Sequence, residues 1–116
     1  FSLDQNGWPS SDPEVFIDLT EDNLNPDGAI IDRSGNLWSA QWGASRVAQY
    51  DRNGRFVSEL KFDAKQISCP AMGGENMSTL FATSASVDLD NACPNDGKTF
   101  LIEVDCVGQE EHQVKL

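Results

Sequence analysis

Basic residues are scarce in this chain. Eight Lys and Arg stand against nineteen Asp and Glu over 116 residues, for a formal charge of -11. A nucleic-acid surface needs clustered Lys and Arg, so nucleic acid is excluded as a partner. The acidity suits solubility and suits a cation site. No apolar run approaches the roughly 20 residues of a membrane span, which excludes a membrane helix. There is a single histidine, His112, set among acidic and amide residues in Gln109-Glu110-Glu111-His112-Gln113. It reads as part of an exposed last strand and not as a catalyst. The cysteines, Cys69, Cys93 and Cys106, are odd in number and none shows C-x-x-C spacing. That excludes a zinc ribbon or a dithiol redox motif and fits free thiols in a reducing compartment, the cytoplasm. A bridge between Cys93 and Cys106 is the other arrangement open to them. There is neither an initiator Met nor a signal-peptide pattern. The chain opens at Phe1 within what reads as a strand, so the expectation is a piece of a longer polypeptide.

Capped segments of helical period are also missing; Asp18 to Asn25 has room for one helical turn. What is present is a succession of short strands and glycine turns. Asn25 to Gly54 sets the pattern, as NPDGAIIDRSGNLWSAQWGASRVAQYDRNG. Ile30-Ile31, Leu37 to Gln41, Arg46 to Tyr50 and Phe56 to Phe62 read as four strands. Ile67 to Met72, Leu80 to Ala85, Phe100 to Val104 and His112 to Leu116 read as four more. Phe1 to Leu3 and Val15 to Leu19 read as the last two strands of an earlier unit. Arg46 to Tyr50 alternates polar and apolar, as a half-buried strand does. Phe56 to Phe62 is more polar and suits an edge.

The chain repeats itself. Leu3-Asp4-Gln5-Asn6-Gly7, Tyr50-Asp51-Arg52-Asn53-Gly54 and Val104-Asp105-Cys106-Val107-Gly108 share an apolar residue, an Asp, two variable residues and a Gly. The Asp accepts from backbone N–H groups of its own turn and the Gly supplies positive φ. A shift of 43 residues carries Leu37 onto Leu80 and Trp38 onto Phe81. An insertion in the second unit falls in Ser86 to Gly97, a stretch rich in loop formers. A period in the forties with several short strands per unit predicts a β-propeller. The expected fold is therefore all-β. It comprises the end of one blade (1–24), a blade at 25–66 and a blade at 67–116, about two and a half four-stranded blades. Two blades leave open edges, so the remaining blades come from the same polypeptide, the favoured reading, or from another chain.

The ordered set of Pro26-Asp27-Gly28, Ile31-Asp32, Gly35-Asn36-Leu37-Trp38, Trp42-Gly43, Arg46-Val47 and Tyr50-Asp51 to Gly54 resembles the LRE-like family that includes senescence marker protein (regucalcin), gluconolactonases and related sugar lactonases. Downstream, Gly73-Gly74, Thr79 to Ala85 and Phe100 to Val104 look like that family's last blade. The resemblance implies the C-terminal third of a six-bladed propeller. It further implies metal-dependent hydrolysis of a sugar lactone, or, as the alternative, a non-enzymatic propeller that binds calcium or a small ligand. Family members hold one divalent cation with a Glu near the N-terminus, a mid-chain Asn and the Asp of the Pro-Asp-Gly turn. Only the last has a counterpart here, Asp27, which is the candidate metal ligand and, second, the candidate catalytic base.

Oxygen donors of this kind suit Ca²⁺, Mg²⁺ or Mn²⁺ and admit Zn²⁺. The plain alternative for Asp27 is a turn aspartate that bonds only its own backbone. Asp32 reads as the cap of the Arg33-Ser34-Gly35-Asn36 turn, Asp51 as a repeated turn residue and Trp38 as core between blades. Gln41 and Trp42 are candidates for a channel wall, and Arg46 for an ion pair within the blade, the favoured reading, or for a contact to substrate. Ser84 has no partner for a hydrolase triad. Asp88, Asp90 and Asp96 lack the Gly and terminal Glu of an EF-hand loop and read as a solvated surface loop.

Overall fold

A computed structural model describes residues 1–110. Seven strands run through it: β1 (Asn25–Ile31), β2 (Leu37–Trp42), β3 (Arg46–Tyr50), β4 (Phe56–Lys61), β5 (Gln66–Gly73), β6 (Thr79–Ala85) and β7 (Thr99–Glu103). They form two antiparallel sheets, ordered β1-β2-β3-β4 and β5-β6-β7. The fold is all-β, and no described residue is helical. The expected strand His112 to Leu116 lies outside the described residues.

The sheets bury one face against each other. Trp38, Ala40 and Val47 of the first pack with Ile67, Leu80 and Ala82 of the second, and Phe62 and Ala64 of the connection close the cluster. Ala40 lies opposite Val47, so a small residue on one strand accommodates a branched one on the next. The 43-residue echo holds in space. Trp38 looks forward into the second sheet while Leu37 looks back toward residues 15–19. Leu80 looks back into the first sheet, and Phe81, next to it on β6, points to the opposite face.

β3 is not the half-buried strand its alternation predicts. Val47, Ala48 and Tyr50 are all buried. Residues 15–19 lie across the reverse face, where the Phe16 carbonyl and Ile17 meet Gly54 and the segment borders Leu37, Ser39 and Tyr50. Phe1 to Leu3 and Val15 to Leu19 are themselves not strands. Leu3 makes a single bridge, to Pro9, and residues 15–19 have no ladder partner; apolar alternation becomes a strand only where a neighbour accepts its hydrogen bonds.

Two of the three expected Asp-x-x-Gly turns form. In each, the Asp Oδ1 accepts two backbone N–H groups, from Asn6 and Trp8 at Asp4 and from Asn53 and Arg55 at Asp51. Gly7 and Gly54 take φ of 83° and 75°. The third copy is not at Asp105, because Gly108 lacks the positive φ and donates its N–H to the Met77 carbonyl. It sits against Met72, where a Cβ would come within 2.3 Å of that side chain. The third copy is at Asp32, with Gly35 at φ 82°. Asp32 does cap its turn, accepting Asn36 N–H at 2.9 Å and Asn36 Nδ2 at 2.9 Å. It also accepts Trp38 Nε1 at 3.0 Å, so this one carboxylate is buried, 1% exposed, and reaches the core. Burial pushes the Asp32 carboxyl up, but the bonds from Trp38 and Asn36 outweigh it and hold the group below its ordinary value.

Leu80 is fully buried, and Leu80→Ala is expected to lower stability by roughly 2–5 kcal/mol in denaturant titration of the whole protein. A carboxyl held low in the fold contributes its stability in full above the ordinary value of 3.8, and that contribution is lost as pH falls through the lower folded-state value. Asp32→Asn is expected to cost about 1–3 kcal/mol near neutrality. Its denaturation midpoint should then fall less steeply than that of the wild type below about pH 4. Parallel pH curves for the two proteins would contradict this role.

Candidate functional site

Asp27 lies on a β-bulge. Pro26 pairs with Gln41 and Ala29 with Ser39, so Asp27 and Gly28 together oppose Ala40. A bulge re-aims side chains out of the regular alternation. Asp27 is exposed. Among the described residues its carboxylate enters none of the hydrogen bonds or ion pairs, whereas Asp4, Asp32, Asp51 and Asp96 are each engaged by backbone donors. The turn-capping role that would explain a Pro-Asp-Gly sequence by itself is therefore not what this carboxylate does.

β5 carries a matching bulge at Ser68, between the pairs Ile67–Ser84 and Cys69–Thr83. The two bulges touch. A Cβ at Gly28 would come within 2.8 Å of both the Ser68 carbonyl and Cys69 Sγ. What occupies the space beside Gly28 is β5. Ser68 Oγ and Thr83 Oγ1 share a hydrogen bond of 2.9 Å. The sequence reading missed Ser68, Cys69 and Thr83. The sequence repeat held no signal for them: its shift of 43 lays Asp27-Gly28 on Pro70-Ala71, and only the strand registers, Pro26 opposite Gln41 and Ile67 opposite Ser84, lay them on Ser68-Cys69.

The connections at this end of the sheets are tied together. Ser45 receives Phe62 N–H at 2.9 Å and donates its own N–H to the Lys65 carbonyl at 3.1 Å. The 86–97 loop docks on the same connection. Asp96 accepts Lys65 N–H at 2.9 Å and Cys93 N–H at 2.7 Å. These backbone bonds hold the Asp96 carboxyl below its ordinary value. Asn95 bonds Asp63, and the buried Gln66 amide clamps both backbone groups of Val87. Asp88 and Asp90 stay exposed, as a surface loop predicts, while Asp96 is the loop's anchor.

Gln41 is fully buried, donating to Tyr50 Oη at 2.7 Å and accepting from Arg46 Nε, so it faces no open channel wall. Arg46 pairs with Glu59, as its reading within the blade predicts. Trp42 closes β2 opposite Asn25. Ser84 Oγ donates to the Lys98 carbonyl at 2.7 Å. All three cysteines are unbridged. His112 lies outside the described residues. Among the described residues no three His, Cys, Asp or Glu side chains gather closely enough to hold a metal. A hard, exposed, unengaged carboxylate at Asp27 fits a hard cation as one donor of a set.

The sequence model of the SMP-30/Gluconolactonase/LRE-like region matches residues 1–86. The chain belongs to the SMP-30/gluconolactonase/LRE-like family. Among its curated relatives, an L-arabinolactonase from Azospirillum brasilense is 43% identical over 82 residues, 70% of this chain and 27% of that protein. A regucalcin from Danio rerio is 33% identical over 107 residues, 88% of this chain and 36% of that protein. The crystal structure of a calcium-binding protein, regucalcin, from Agrobacterium tumefaciens superposes with a TM-score of 0.91 at 36% identity. It covers 98% of this chain and 40% of that one. This family member thus spans well under half the length of the relatives it matches.

Asp96→Ala is expected to release the 86–97 loop from the Lys65 connection. Alkylation of Cys93, which is partly buried and bonded to the Asp63 carbonyl, should then speed up several-fold while that of exposed Cys69 stays constant. Equal acceleration at both thiols, followed by mass spectrometry, would mean general loosening instead.

Proposed function

We propose that the whole protein hydrolyses a sugar lactone with the help of one divalent cation, and that Asp27 supplies one of the cation's ligands. The observation that carries this is the exposed Asp27 carboxylate, raised on a bulge and engaged by no other described group. The lactonase names among the relatives and the calcium-binding regucalcin neighbour support the reading. In it, residues 1–24, 25–66 and 67–116 are the end of one blade and two further blades of a six-bladed propeller. The rest of the ring comes from the same polypeptide and contributes the other ligands, a Glu and an Asn.

When bound, a divalent cation supplies Lewis-acid polarisation of the lactone carbonyl. Asp27 would be one of the residues holding it and, second, would serve as the base that takes a proton from water. Pro26 stiffens the approach to the bulge. A second reading is calcium binding without turnover, favoured by the description of the Agrobacterium neighbour as a calcium-binding protein.

Hydrolysis of a panel of aldonolactones by the whole protein, with and without chelator, tests the proposal. Activity should vanish with chelator and return with a divalent ion. Asp27→Ala should lower it by about a hundredfold or more, at or beyond the upper end of what losing an outer-shell partner costs. Cation binding with no turnover of any lactone would select the second reading, and full activity in Asp27→Ala would remove Asp27 from the site.

A further inference from the structure

Gly28 does not have positive φ, so it is not a glycine for the sake of the turn. It is a glycine for space. A Cβ there would lie 2.8 Å from the Ser68 carbonyl oxygen, 2.8 Å from Cys69 Sγ and 2.9 Å from Cys69 Cα. Two of these atoms are backbone and cannot rotate aside. Asp27 is the residue next to this contact, and its own bulge skips a ladder pair, so the β1–β2 hydrogen bonds do not fix its direction. Whatever the bulge rests on does.

It rests on the bulge of β5, which is itself pinned. Ser68 Oγ and Thr83 Oγ1 share a 2.9 Å bond, and Thr83 Oγ1 reaches the Cys69 carbonyl at 3.3 Å. One hydroxyl on β6 therefore holds both residues of the β5 bulge that meet Gly28.

We propose that the Ser68-Cys69 bulge is the seat that aims Asp27, with Thr83 as its pin and Gly28 as the position that must stay without a side chain. Ser68 and Thr83 are then positioning residues: they act on the cation through Asp27 and touch neither cation nor substrate. The inference rests on the reading of Asp27 as a cation ligand and adds what orients it. The seat is built from residues of the neighbouring sheet, so the quality of the cation site depends on how the two sheets pack at this end.

The test is calorimetric titration of the whole protein with Ca²⁺ or Mn²⁺ alone, well below its thermal transition, for Asp27→Asn, Gly28→Ala, Thr83→Val and Thr83→Ser. Asp27→Asn should lose binding. Gly28→Ala should bind about tenfold or more weakly, the range seen when outer-shell support is removed from a metal ligand. Thr83→Val keeps shape but not the hydroxyl and should weaken binding several-fold, whereas Thr83→Ser should restore it, a rescue that general loosening would not give. Wild-type affinity in Gly28→Ala, with Asp27→Asn unable to bind, overturns the seat and leaves the ligand reading standing. Wild-type affinity in Asp27→Asn overturns the ligand reading and the seat with it. Should Gly28→Ala fail to fold, Thr83→Val decides: unchanged affinity overturns the proposal.

Discussion

The stacking of two small-residue sheet faces is the constraint from which the rest follows. Ala40 and Ala82 lie in the shared core with Val47, Ile67 and Leu80, and short side chains there let the sheets approach closely. That approach brings the first strands of the two sheets together until no Cβ fits between Gly28 and β5. The exposed carboxylate beside Gly28 thus inherits its surroundings from core packing. Fold and site are joined at one residue without a side chain.

The same turn chemistry serves two different ends in this chain. Asp4 and Asp51 sit at the surface and do no more than satisfy the N–H groups of their own turns. Asp32 makes the same local bonds but lies where Trp38 reaches it, so it becomes a buried charge stabilised by donors from backbone, amide and indole. Placing such a charge in a core costs heavily unless every lone pair is met. Here the donors outweigh the burial, and the group stays ionised.

Much of this was legible in the sequence, for reasons of range. Turn glycines, the β2 and β3 strands and the Asp32 cap depend on residues a few positions apart, and local chemistry determines them. Trp38 was readable as core because the repeat gave it an echo. Family membership and the position of Asp27 came from an ordered set of short motifs over about thirty residues, NPDGAII through YDRNG. What could not be read depends on which face meets which. Apolar alternation in residues 15–19 looked like a strand, yet that segment covers a sheet instead of extending one. Gln41 looked like a wall residue because its strand ends there, but Tyr50 and Arg46 enclose it. Asp105 matched the turn pattern letter by letter, and Gly108 was taken instead by packing against Met72.

The segment after β7 returns to the first sheet. Gly108 bridges Asp32, and Arg33 donates its N–H to the Val107 carbonyl at 2.9 Å. This stitch joins residues far apart in the chain, across everything that forms β2 to β7. During synthesis the residues of the first sheet leave the ribosome before their stitching partner, so this contact between distant residues closes late. The buried charge at Asp32 is then assembled early from its own turn, and the bridge to Gly108 serves as the late closure that locks the second sheet to the first.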